Sequence, residues 1–407
     1  MTSAFATSPL QLVGEFAGDT RVRRAFEYFV ERADEITQEH AAICAIAAPP
    51  FGEGPRANFL RNKFRECGLE EVEIDAEGNC LGLRRGKSLR PLMVLSAHLD
   101  TVFPEGTNCA VRREGGRLYA PGVADDACGL AALPALARAL DDAGIETEGS
   151  LLFVATVGEE GEGDLRGVRH LFGAGRWSKE IDAFLSFDGA GVESITHRAL
   201  ASRRYRVTYA GAGGHSWSDF GTASPVHAVG RAIARLVAYP APNEPRTTFN
   251  VGRIAGGEGV NCIAREVLMD VDLRSESSAE LHRLDAYFRR AVYEALNEEN
   301  AARRANTPPL ELELKLIGDR PGGETPADSP LVQLAVEATR LLGGRPQLDC
   351  ASTDANVPIA KRVSAITVGA GGTGGGMHTL FEWYDPQGRE EGLQRALLVV
   401  LGVVGLR

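Results

Sequence analysis

Three apolar runs of this chain end in side chains that can hold a cation. The run 92–97 is followed by His98 and Asp100, 151–157 by Glu159 and Glu160, and 183–187 by Asp188. Residues two apart on a strand point the same way, so His98 and Asp100 leave on one side. One ring nitrogen of an imidazole can bind a metal while a carboxylate holds the other and fixes the tautomer. Asp125 and Asp126 stand where a loop enters a helical pattern, and His378 follows the glycine run 369–376. One acidic strand end is commonplace. Several converging carboxylates repel and resist burial, and a bound cation resolves that repulsion. Mixed imidazole and carboxylate donors suit zinc, or else manganese or cobalt, and do not suit a thiolate site. His98, Asp100, Asp125, Glu159, Glu160, Asp188 and His378 supply enough donors for two ions that share one carboxylate. Glu159 and Glu160 are adjacent, so one can bind metal while the other stays free as a base.

The elements that must position these groups read as an α/β architecture with a mostly parallel sheet and helices on both faces. Short apolar runs such as 92–97 are typical of parallel strands covered on both sides, and open sheets of this kind bind ligands at the carboxyl ends of their strands. Helical patterning covers 20–45, 56–67 and 127–143, with Pro134 predicting a local kink or a late start in the last. Strands are expected at 72–74 and 80–83, with Gly78 in the turn between them. From residue 200 the pattern changes to strand 202–210, helix 224–238, strands 247–254 and 266–273, helix 278–300 and strand 310–317. That order, β-α-β-β-α-β, is ferredoxin-like, and it predicts an inserted α+β domain. The boundaries expected are 1–199 for the first part of the catalytic domain, 200–316 for the insert and 317–407 for the second part. The final part holds a helix at 328–342, a strand at 364–368 and a helix at 387–404. The glycine run between them reads as a flexible loop delivering His378. A phosphate cradle is the alternative, but neither Gly-Lys-Ser/Thr nor Gly-x-Gly-x-x-Gly leads from it into a helix.

Composition narrows the partners. The chain has 407 residues, 44% of them hydrophobic, and a net charge of −11 without a basic block. This argues against nucleic acid and anionic membrane surfaces, and no apolar run reaches the length of a membrane span. Residues 1–10 lack a basic start and an apolar core, so no secretory signal is expected. Seven scattered cysteines with no Cys-x-x-Cys predict reduced thiols and a cytoplasmic protein.

The motifs Ser96-Ala-His-Leu-Asp-Thr-Val102, Gly122-Val-Ala-Asp-Asp126, Gly158-Glu-Glu160, Phe187-Asp-Gly189, Gly213-Gly-His-Ser216 and Met377-His378 together resemble the peptidase T / carboxypeptidase G / aminoacylase family of co-catalytic metallohydrolases. They occur in the family's order and spacing and cover almost the whole chain. The resemblance implies two divalent ions, one held by His98 and Asp188, the other by Glu160 and His378, with Asp125 bridging. It implies that Asp100 orients His98, that Glu159 is the general base, and that the Asp125–Asp126 peptide is cis. The inserted domain would serve as a lid and dimer interface. His215 would stabilise the oxyanion, commonly in the partner subunit's site, and Asn261 and Arg274 match positions that hold a substrate carboxylate.

Two departures matter. Many relatives carry Lys after the Asp-Asp pair, where this chain has Ala127. Asp188 is Asp rather than Glu, which in the family leans towards the peptidase branches. The expected activity is metal-dependent exopeptidase action on di- or tripeptides by a cytoplasmic homodimer. The alternative is a non-peptidic C–N amidohydrolase acting on an N-acyl amino acid, a ureido compound or an aryl amine. A metal carrier built on an inactive hydrolase is a third class. It would be favoured by a missing Glu159 or an incomplete ligand set, and both are intact.

Overall fold

The computed structural model describes residues 8–407. The reading of residues 1–10 as no secretory signal therefore falls mostly outside the described residues. No helix among the described residues is long and apolar enough to cross a membrane. The chain divides into two compact units, one of residues 1–199 with 324–407, the other of residues 200–323.

The first unit is built on a mostly parallel sheet. Its strands run in the order Glu70–Ile74, Cys80–Arg84, Ser150–Thr156, Leu92–His98, Ile181–Phe187, Ser364–Val368 and Ser194–Ala199, with Gln347–Ala351 also pairing on the last. The central pairs are parallel, and Glu70–Ile74, Cys80–Arg84 and Ser194–Ala199 add antiparallel neighbours. Strand alternation sends Met93, Leu95 and Ala97 into one core and Leu92 and Val94 into another on the opposite face. Both faces are thus covered, which explains why Leu92–His98 is buried throughout. The first core is closed by Thr20–Glu31, Ala33–Cys44, Ala127–Asp142, Pro330–Leu341 and Arg389–Val404. The second is closed by Arg166–Leu171, Trp177 and Asn356–Ala360.

Several elements differ from the sequence reading. The pattern over 20–45 is two helices, interrupted at Arg32, and a further helix, Pro9–Gly18, precedes them behind a Ser8–Gln11 capping box. The helix at Ala127 starts on time, with Pro134 buried inside it. The glycine run is not a flexible loop. Thr373–Gly375 is a strand, paired with Trp383–Asp385 in a small sheet completed by Arg117–Tyr119 and Arg112–Glu114. A Cβ at Gly372 would lie 2.5 Å from Tyr384 Oη, and one at Gly374 would lie 2.9 Å from the Cβ of Ala124. The glycines serve close packing.

The second unit carries one four-stranded antiparallel sheet in the order Thr247–Gly256, Glu266–Ser275, Ala201–Ala210, Glu311–Arg320. Tyr205, Val207 and Tyr209 alternate into a core with Val267, Met269, Val271 and Leu273, under the helices Pro225–Leu236 and Ser278–Ala302. The opposite face is polar: Arg206 pairs with Asp270 directly across the ladder at 2.8 Å, and Arg204 with Asp272 at 3.3 Å. This is the ferredoxin-like arrangement. Its last strand continues through Arg320, so the unit ends at 323.

Candidate metal centre

The sheet register brings the acidic strand ends of the first unit together. His98 is level with Thr156, and Ser96 with Ser186. Asp188 follows the end of Ile181–Phe187, near enough for Asp125 and His98 to act on its charge, and Glu159 and Glu160 emerge just beyond Thr156. The geometry then centres on Asp125. Its Oδ1 lies 2.9 Å from His98 Nε2, and its Oδ2 lies 3.0 Å from His378 Nε2. The same His378 nitrogen is 2.8 Å from Glu160 Oε1. One donor atom each from His98, Asp125 and Glu160 falls within 4.8 Å of the others. The Asp125–Asp126 peptide is cis.

Buried groups hold this arrangement. Arg56, fully buried, donates to the carbonyl of Leu99 at 2.7 Å and to those of Cys44 and Ile46, fixing the residue between His98 and Asp100. Asp100 differs in detail from the sequence expectation. His98 Nδ1 donates to the main-chain carbonyl of Asp100 at 3.0 Å, while the nearer carboxylate oxygen is 3.7 Å away. That carboxylate instead accepts the backbone N–H groups of Glu159 at 3.0 Å and Glu160 at 2.7 Å. Asp100 therefore fixes the His98 tautomer and sets the turn carrying both glutamates. His378 has φ 62°, a left-handed conformation that costs a non-glycine residue about 1–2 kcal/mol.

The electrostatics are those of a cation site. Burial pushes the Asp188 carboxyl up, with neighbouring Asp125 adding to it, and burial beside Asp125 raises Asp126 likewise. Burial also opposes ionisation of Asp125, but hydrogen bonds to His378 and His98 outweigh it and hold that carboxyl low. Burial disfavours the charged His98 ring, yet Asp100 and Asp125 lift it well above the usual imidazole range. Asp125 and Glu160 raise His378 to about 10. The imidazole nitrogens and carboxylate oxygens converge at 2.8–3.0 Å, and this oxygen and nitrogen donor set fits a divalent ion.

Sequence reasoning noted Asp126 without giving it a role and passed over two further groups around this centre. Asp126 is fully buried and accepts N–H groups from His98 at 3.2 Å, Gly129 at 3.1 Å and Gly189 at 3.3 Å, so it caps the following helix and ties two strand ends to it. Glu382 and His40, both buried, bond to the backbone before Asp125. The bonds that reach this segment end on main-chain atoms, which no residue spacing reveals.

The other expected site residues lie in the second unit. His215 sits in a short antiparallel pairing, opposite Cys262, and Ser216 N–H donates to the carbonyl of Asn261 at 2.9 Å. His215 and Asn261 are thus brought together. His215 Nδ1 accepts from the N–H of Trp217 at 3.2 Å and of Ser218 at 3.4 Å, which puts the ring proton on Nε2 of an exposed side chain. Arg274 lies on a different strand, where its Nε donates to Asp272 at 2.6 Å. Within this unit it is not grouped with the other two.

Comparison with known proteins bears on the fold and the family. YqjE of Bacillus subtilis, an uncharacterized protein, is 25% identical over 369 residues, 86% of this chain and 90% of its own. A succinyl-diaminopimelate desuccinylase of Leptothrix cholodnii is 28% identical over 234 residues, 52% of this chain and 59% of its own. The crystal structure of a tripeptidase from Staphylococcus aureus has the same fold, with a TM-score of 0.76 at 20% identity over 91% of this chain and 98% of that one. The family model for peptidase family M20/M25/M40 matches residues 94–404, and with that match over most of its length the chain belongs to this family of metal-dependent hydrolases.

Proposed function

We infer that this hydrolase is an exopeptidase for short peptides that works with two divalent ions. The observation that carries the reading is the position of Asp125, whose two oxygens face two different imidazoles at 2.9 and 3.0 Å. A carboxylate so placed can serve two ions at once. His98 and Asp188 would hold one ion, Glu160 and His378 the other, with zinc the metal expected and manganese or cobalt able to replace it. Ions bound there would polarise the scissile carbonyl and bring a water's pKa towards neutrality.

The remaining chemistry belongs to the chain. Glu159, next to the ligand Glu160 and buried, takes the proton of the attacking water and passes it to the departing amine. Asp100 keeps His98 in one tautomer. His215 offers its Nε2–H to the developing oxyanion, and Asn261 and Arg274 hold the carboxylate of the substrate. The resemblance of Asp188 to the peptidase branches supports a peptide substrate. In the same reading the chain is a homodimer joined through the second unit. Its seven free cysteines fit the reducing cytoplasm.

The second reading, an amidohydrolase for N-acyl amino acids, is favoured by the desuccinylase relative. The test strips metal with a chelator, confirms its removal by elemental analysis, and restores Zn²⁺, Mn²⁺ or Co²⁺. Dipeptides, tripeptides, N-acyl amino acids and a ureido acid are then assayed. Activity is expected only after reconstitution and on peptides. Full turnover without metal would sink the mechanism, and turnover confined to N-acyl substrates would establish the second reading.

A further inference from the structure

The segment 122–125 delivers Asp125 to the centre without belonging to any helix or strand. Its backbone is nonetheless held on both sides. Glu382, 1% exposed, accepts from Gly122 N–H at 2.8 Å through Oε2, and from Ala124 and Asp125 N–H at 2.7 and 2.9 Å through Oε1. Three N–H donors thus converge on one carboxylate, and the carbonyl of Val123 bonds to a different group. It lies 2.6 Å from Nε2 of His40, a fully buried side chain on the helix Ala33–Cys44.

The tautomer of His40 follows from its other neighbour. Arg389 Nη2 is 2.7 Å from His40 Nδ1. A guanidinium only donates, so Nδ1 accepts, Nε2 carries the hydrogen, and Nε2–H donates to Val123. Arg389 is itself fixed by donating to Thr37 Oγ1 at 2.9 Å and to Tyr384 Oη at 3.1 Å. The phenol in turn donates to the carbonyl of Gly371 at 3.0 Å. Each contact has a donor and an acceptor, and none leaves the protein interior.

We propose that Glu382 and the His40–Arg389 pair are positioning residues for Asp125, which set the backbone of 122–125 so that one carboxylate faces both His98 and His378. Neither touches the substrate or the reacting atoms. They act by removing the freedom of the segment to swing Asp125 out of reach of one imidazole. Groups that orient a metal's ligands commonly govern affinity by about 10- to 100-fold. The inference rests on the two-ion reading above.

The experiment measures Zn²⁺ affinity of the metal-free protein by calorimetry, with no substrate present. Glu382→Gln keeps the shape of the side chain but turns an N–H₂ towards the amides, and His40→Leu removes the donor to Val123. Each is expected to weaken binding by about 10- to 100-fold. His40→Gln, whose amide can donate to Val123 and accept from Arg389, should recover most of the loss. The Co²⁺-loaded Glu382→Gln protein should also show an altered visible spectrum, reporting changed ligand geometry. Leu334→Ala, in the core away from this segment, controls for general loss of stability and should lower the melting temperature without weakening Zn²⁺. Wild-type affinity in folded Glu382→Gln and His40→Leu overturns the inference and leaves the two-ion reading standing. Equal weakening in Leu334→Ala overturns it as well. Wild-type protein that binds no Zn²⁺, Mn²⁺ or Co²⁺ overturns the two-ion reading and this inference with it. If one substitution prevents folding, the other, on the opposite side of the segment, decides.

Discussion

Glu159 and Glu160 are neighbours with both backbone N–H groups on the same carboxylate of Asp100, and the proposed mechanism gives their side chains different tasks. Glu160 reaches His378 at 2.8 Å and joins the donor cluster with His98 and Asp125. Glu160→Ala should therefore lose metal, measured by elemental analysis after gel filtration. Glu159→Ala should keep both ions and substrate binding while kcat falls by at least about 10²-fold with KM little changed. Metal loss in Glu159→Ala, or near-normal kcat, would remove Glu159 as the proton carrier. Of the candidates around Asp125, His98, Asp100, Glu159, Glu160 and Asp188 were legible from sequence because they follow apolar runs whose ends the sheet aligns, while Asp125 and His378 stood out by the junction and the glycine run before them. Glu382, His40 and the role of Asp126 were not legible, because these groups act by bonding to backbone. A buried Glu in Leu380-Phe-Glu-Trp383 or a single His on an amphipathic helix carries no periodic signal.

At the level of elements, the buried strands and most helices could be read from apolar patterning, since burial on one face or two writes a period into the chain. The short strands Arg112–Glu114, Arg117–Tyr119 and Trp383–Asp385 could not, because three residues hold no period. The glycine run was open to two meanings, since a missing side chain gives both freedom and room for close approach. The structure uses the room. Gly374 faces Ala124, immediately before Asp125, and a new Cβ would also stand 3.2 Å from the Cβ of Ala190. Gly374→Ala should cost about 1–3 kcal/mol of stability, the usual range for overpacking, and should weaken metal binding by displacing 122–125. Combining it with Ala124→Gly should restore much of both losses, because the pair is then swapped in volume. Additive losses in the double variant, read by denaturant unfolding and metal titration, would show that the contact with Ala124 is not what matters.

For the whole molecule, the proposed homodimer makes a prediction that neither unit makes alone. If His215 serves the partner subunit's site, inactive His215→Ala and Glu159→Ala proteins should regain activity when their subunits exchange, since one site per mixed dimer has both wild-type groups. Absence of recovery after exchange is verified by mass would place His215 in its own chain's site or outside the chemistry. The insertion also has a consequence for how the chain folds. Strand Ser364–Val368 lies between Ile181–Phe187 and Ser194–Ala199, although the whole of residues 200–323 separates it from both in sequence. Ser202 is paired with Arg320, so the insert enters and leaves at adjacent points. Once the insert has folded, it acts towards the rest of the chain as a short hairpin, and most of the loop-closure entropy opposing the late strand is already spent. Pulse-labelled hydrogen exchange during refolding should therefore protect amides of 201–210 and 311–320 before those of 364–368. The reverse order would mean that the split sheet assembles first and carries the insert as an open loop.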